Sequence, residues 1–114
     1  MTTRKLDPAD WRAYCDSLSK ALIGKQAEIE VASLALGAQV EAEWLPLLGI
    51  VYDDKSDTME IALAGLDHIV PHPREFYVED GPDGVSSLGI IDDAGTRQII
   101  RLREPLALPA PAAH

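Results

Sequence analysis

Pro46 sits inside a run that otherwise reads as β-strand on both sides, and this conflict constrains the fold more than any other feature. Before it, Val40 and Ala42 alternate with Gln39, Glu41 and Glu43; after it, Leu47 to Tyr52 forms a more continuous apolar run. Proline has no amide hydrogen to give to a ladder, so Gly37–Asp53 must bend at Trp44-Leu45-Pro46 or lie at an edge there. Gly49, inside the second half, marks a bulge or the close approach of another element. The expectation is two strands joined by a bend, with aliphatic residues inward and glutamates outward.

The chain leading into this segment supplies the partners a bent sheet needs. Asp7-Pro8-Ala9-Asp10 carries a cap, a proline suited to the first helical position and an acid at the positive end of the helix dipole. Trp11, Tyr14, Cys15, Leu18 and Leu22 then recur at helical spacing, which predicts an amphipathic helix over about 8–23 ending near Gly24. A helix this short needs tertiary packing to persist. Ile29 and Val31 alternate with Glu28 and Glu30, which predicts the next strand from about residue 26.

Beyond Asp53, turn residues recur at short intervals. Asp53-Asp54-Lys55-Ser56-Asp57, Gly81-Pro82-Asp83-Gly84 and Asp92-Asp93-Ala94-Gly95 separate runs that alternate or are rich in aliphatic residues. Asp67 to Pro73 must be extended or turning, because residues before proline avoid the helical region. Strands are expected out to about residue 103, with Gly89 weakening one of them. The fold class is α+β, mostly β. One N-terminal helix packs on a strongly curved antiparallel sheet, or a small β-barrel, of about seven short strands. At 114 residues this is one domain, residues 1–104, followed by a Pro- and Ala-rich tail, 105–114, expected to be mobile.

Composition excludes several functions. A formal net charge of −9, from 19 acidic and 10 basic residues, repels a phosphate backbone and argues against nucleic-acid binding. No apolar run approaches the ~20 residues of a membrane helix, and the polar N-terminus lacks a signal-peptide core. The expected location is cytoplasmic, with no membrane partner. Cys15 is the only cysteine, so no intramolecular disulfide forms, and on the apolar stripe it reads as a buried, inert thiol.

Two sets of side chains are candidates for a site. His68 and His72, with Asp53 and Asp67 nearby, are a speculative ligand-binding set. Pro71 and Pro73 forbid a helix, though, and four extended residues span roughly 13 Å, too far for two rings to share one ion without a bend. Glu28, Glu30, Glu41 and Glu43 are expected on one outer sheet face, where opposed carboxylates ~5 Å apart need a cation or a basic neighbour. Arg97, Arg101 and Arg103, outward on the last strand, are positioned to neutralise them. A solvated charged face is the plainer reading. No nucleophile elbow, phosphate-cradling loop or metal-ligand pattern is present, so no catalytic residue, metal or cofactor is expected.

The chain resembles the bacterial domain-of-unknown-function family 5335 (DUF5335). The likeness lies in Trp11, in Gly37 to Ala42 followed by Leu45 to Ile50, in Asp67 to Pro73, and in the turn at Asp92 to Thr96. It implies no catalytic residues and makes a disguised well-known enzyme less credible. The preferred expectation is a non-enzymatic binding or interaction module, with a protein or small molecule as partner and a homodimer through a sheet edge as a modest expectation. The alternative is a metal- or small-ligand-dependent enzyme with its site near His68 and His72.

Overall fold

A computed structural model of the chain describes residues 2–21, 24–35 and 37–106. The helix forms where the apolar spacing places it. Asp7 Oδ1 accepts from the amide of Ala9 at 2.9 Å, a 3-10 turn covers Pro8–Asp10, and α1 runs Trp11–Ala21. Its buried face is Trp11, Tyr14, Cys15 and Leu18, while Lys20 lies in the last turn. Residues 22 and 23, the expected helix end, lie outside the described residues.

Eight strands follow the chain: β1 Thr2–Lys5, β2 Gln26–Ser33, β3 Gly37–Asp53, β4 Thr58–Leu63, β5 Leu66–Pro71, β6 Pro73–Gly81, β7 Gly84–Asp92 and β8 Arg97–Leu106. They form one antiparallel sheet in the order β1-β6-β7-β8-β2-β3-β4-β5. The sheet curls until β5 approaches β7, but it does not close into a barrel: β1 and β5 are its two edges. Strand β1 is the element the pattern did not foretell. Thr2-Thr3-Arg4-Lys5 has no apolar alternation and exists as a strand by pairing with β6, Thr3 opposite Glu79. Strand β8 runs on through Leu106, and residues 107–114 of the expected tail lie outside the described residues.

The proline conflict resolves as a corner. The first half of β3 pairs with β2 and the second half with β4, and Trp44, at φ 50°, takes a left-handed turn between them. Beyond Gln26 opposite Pro46 and the Leu47 amide on the Lys25 carbonyl, at 2.9 Å, β3 loses β2 as a partner. The helix takes over that edge. Ser19 Oγ accepts from the Ile50 amide at 2.9 Å and donates to the Ile50 carbonyl at 2.8 Å, so one hydroxyl pairs both backbone groups of the exposed edge. Gly49 marks the close approach: a Cβ there would lie 3.4 Å from Ser19 Oγ.

The core lies between the curled sheet and α1. Phe76, Ile29, Ile50, Ile61, Ile90 and Ile100 are fully buried, and Trp11 and Tyr14 meet Phe76 edge-on at centroid distances of 6.3 and 6.1 Å. One expectation fails here. Val40 was expected inward beside Ala42, yet it is 55% exposed. The register shifts between Ile29, opposite Ala42, and Glu30, opposite Val40, so Glu41 is an extra residue that sends its two neighbours to opposite faces.

Candidate functional site

The residues singled out by sequence lie on different elements and faces of the sheet. His68 pairs opposite Ile61 on the inner face of edge strand β5, where burial lowers its pKa and the Glu41 charge partly opposes that shift. Asp67, one residue earlier, points to the outer face opposite Ala62 and is exposed. Asp53 caps the β3–β4 turn by accepting from the Lys55 amide at 2.9 Å, the largest cause of its lowered pKa. Among the described residues no group of three or more His, Cys, Asp or Glu side chains is arranged to hold a metal ion.

His72 has a partner that sequence reasoning missed. Its Nδ1 lies 3.3 Å from Asp57 Oδ2, and its amide donates to the Asp57 carbonyl at 2.8 Å. Tyr52, stacked edge-on against Trp11 at 5.3 Å, donates its hydroxyl to Asp57 Oδ1 at 2.9 Å. The Tyr52 bond, followed by the His72 contact, draws the Asp57 carboxyl below its ordinary range. Asp57 and His72 are also left-handed, at φ 52° and 49°, and the Asp93 amide closes on the His72 carbonyl at 3.0 Å. The arrangement pins the β3–β4, β5–β6 and β7–β8 connections together at one end of the sheet. Its geometry accounts for the two strained residues as a structural clasp.

The outer glutamates are partly as expected. Glu28 and Glu30 share a face, and Arg101 Nη1 bridges both, at 3.3 and 3.1 Å. Glu41 and Glu43 belong to the bulged part of β3, are exposed, and make no ion pair among the described residues. Arg103 donates to Gln26 at 2.9 Å and lies 5.9 Å from the Trp44 ring centroid.

A different place on the outer face gathers binding chemistry. Tyr77 on β6, Gly89 on β7 and Ile99 on β8 stand in one cross-strand row. Because Gly89 has no side chain, the row has a hole at its centre, and a half-open depression of about 300 Å³ forms over it. Ile91 and Ile99 give its surface apolar character, with Tyr77, Glu79 and Ser87 on one side and Arg97 on another. The Tyr77 hydroxyl bonds Glu75, which Lys5 also holds at 3.3 Å, and the Ser87 hydroxyl donates to Glu79 Oε2 at 3.2 Å. The sequence showed that Gly89 weakens a strand. It did not show that the register sets Tyr77 and Ile99 on either side of the gap.

One helix plugging an open antiparallel sheet, with a depression on its outer face, defines a small, mostly β α+β protein. The chain belongs to the family of unknown function DUF5335, whose profile matches residues 2–111. It is similar to an uncharacterised protein of the bacterium Aquifex aeolicus, 38% identical over 110 residues that span 96% of this chain and 99% of the relative. No solved structure matches it.

Proposed function

We propose that the chain is a non-enzymatic binding module whose ligand occupies the depression over Gly89. The observation that carries this reading is the glycine itself. Its φ lies outside the left-handed region, and a Cβ would meet Tyr77 Cβ at an ordinary 3.8 Å, so neither backbone nor packing requires glycine. Glycine inside a strand costs stability relative to a residue with a side chain. What it provides is the opening. The volume is at the small end of ligand pockets, which suits a small molecule or one projecting side chain of a partner.

The test is a fragment screen read by amide chemical shifts of the intact chain, repeated with Gly89→Val. Fragments should move the amides of Tyr77, Gly89 and Ile99 in the native protein and lose that effect in the variant. Identical responses in both would place the site elsewhere. A cytoplasmic setting is the compartment this reading favours, supported by Cys15, whose burial pushes its thiol up to about 12 and keeps it inert.

A homodimer is the second reading, favoured by one observation. Leu48, Val51 and Ile69 are exposed near the free edge of β5, with Val51 and Ile69 flanking Glu60 in one outer row. A sedimentation mass of one chain at all micromolar concentrations would refute it.

A further inference from the structure

Charges flank the Gly89 depression at two opposite corners, and neither is held in an ion pair among the described residues. On the outer face of β8, Arg101 is bound to Glu28 and Glu30, and Arg103 to Gln26 and the Trp44 ring. Arg97 lines the depression and makes no hydrogen bond or ion pair among the described residues; its charge reaches Glu75 only at longer range, across Ile91 in the same cross-strand row. At the other corner, Glu79 accepts from the Ser87 hydroxyl and has no cationic partner among the described residues. The contrast with a second depression, of about 280 Å³, is instructive. There Lys25 meets Glu104 at 3.9 Å and Arg103 meets Gln26 at 2.9 Å, so its polar groups satisfy each other.

Register fixes how far apart the two corners are. Glu79 stands opposite Ser87, and Arg97 opposite Ile91, so the two charges are two strands and four residues apart, a diagonal of about 16 Å between Cα atoms. Both residues line the depression, and two long side chains leaning over it would bring their charges within the span of a small molecule. Gly89 and Ile99 lie between, with no polar side chain of their own.

Resting on the reading of this depression as the binding site, we infer that its ligand is a small zwitterion with charges at opposite ends of an apolar body. The carboxylate meets the Arg97 guanidinium, which can hold it through two parallel hydrogen bonds, and the ammonium meets Glu79. An α-amino acid, with both charges on one carbon, does not span the corners. The body lies flat over Gly89, between Tyr77 and Ile99.

Three probes titrated into the intact chain test this by amide shifts and calorimetry: 4-(aminomethyl)benzoate, benzoate and benzylamine. The first should bind at Gly89 at least about tenfold tighter than either fragment, the worth of one charge-assisted hydrogen bond. Arg97→Gln should bring it down to the level of benzylamine, and Glu79→Gln to that of benzoate, with melting temperatures showing both variants folded. If benzoate or benzylamine binds as tightly as the zwitterion, at a Gly89-dependent site, the ligand class is overturned and the site stands. If no probe moves Gly89 at millimolar concentration, the zwitterion proposal is overturned. Fragment hits that survive Gly89→Val would overturn the site itself.

Discussion

Replacing Gly89 should make the protein more stable. In the folded state nothing restrains this residue to glycine: its φ is not left-handed, and the nearest atom to an added Cβ is Tyr77 Cβ at 3.8 Å, van der Waals contact without overlap. The unfolded chain, by contrast, loses conformational freedom when glycine becomes alanine, which favours folding by about 0.4–1 kcal/mol. Strand pairing on both sides, Tyr77 opposite Gly89 and Gly89 opposite Ile99, adds cross-strand contacts that glycine cannot make. For a chain of this length the gain is about 2–5 °C in melting temperature. Urea and thermal unfolding followed by circular dichroism would measure it, with Gly89→Val giving at least the alanine effect because β-branched residues suit a half-buried strand. A loss of 1 kcal/mol or more in Gly89→Ala would refute the reasoning, since it would mean the backbone, not the opening, holds the glycine. The same variants should fill the depression, so stability and binding are expected to move in opposite directions.

Ser19→Ala should lower stability by about 1–3 kcal/mol in urea unfolding, because it strands the Ile50 amide and carbonyl on an edge the helix covers. Phe76→Ala, at a fully buried ring that meets Trp11 and Tyr14 edge-on, should cost about 3–5 kcal/mol by the same assay. Burial depresses the folded-state pKa of His68, so the unfolded chain binds its proton first as pH falls. Stability held by the neutral ring is therefore complete above the ordinary histidine value of 6.5 and declines as pH drops below it toward the lower folded-state value. His68→Phe should flatten the urea midpoint between pH 7 and 5.5 relative to the native chain, and an unchanged slope would remove His68 as the cause. Asp57 has a lowered folded-state pKa, so the clasp it makes with Tyr52 and His72 is intact above its ordinary value of 3.8 and weakens below it. The ring resonances of Tyr52 should shift in that range in the native chain and not in Asp57→Asn.

What sequence made legible depended on whether local pattern or long-range register decided the outcome. The α1 stripe, the Asp7 cap, the corner at Pro46 and the turn at Asp92 are written in consecutive residues, and the structure has them where periodicity and turn chemistry put them. Strand β1 was invisible because an edge strand of four polar residues is held by its neighbour's backbone, not by its own side chains. Val40 was misassigned because one extra residue, Glu41, reverses the alternation, and nothing in Gln39-Val40-Glu41-Ala42 distinguishes a bulge from a regular strand. Asp57 escaped notice because its partners, Tyr52 and His72, are 5 and 15 residues away and meet only once three connections are brought together. Arg97 and Glu79 belong to the same class: their charges were obvious, but that neither joins an ion pair among the described residues becomes visible only when Arg101 is seen bound to Glu28 and Glu30.

The corner in β3 links these two kinds of information. A strand that bends at Trp44 and Pro46 leaves β2 behind, and the amide and carbonyl of Ile50 then face outward from the ladder. An open edge of this kind invites pairing with another chain unless something covers it. The helix does so through Ser19, a residue on its polar side that a reading of the apolar stripe passes over. The bend therefore gives the N-terminal helix a fixed seat as well as a hydrophobic one, and the two must form together. At the end of the sheet, β5 is an edge that α1 does not cover, and Pro71 and Pro73 at its C-terminal end discourage extension there. Leu48, Val51 and Ile69, the apolar residues exposed near the β5 edge, do not line the Gly89 depression, so ligand binding and self-association through that edge are separable: Gly89→Val should leave the sedimentation mass unchanged.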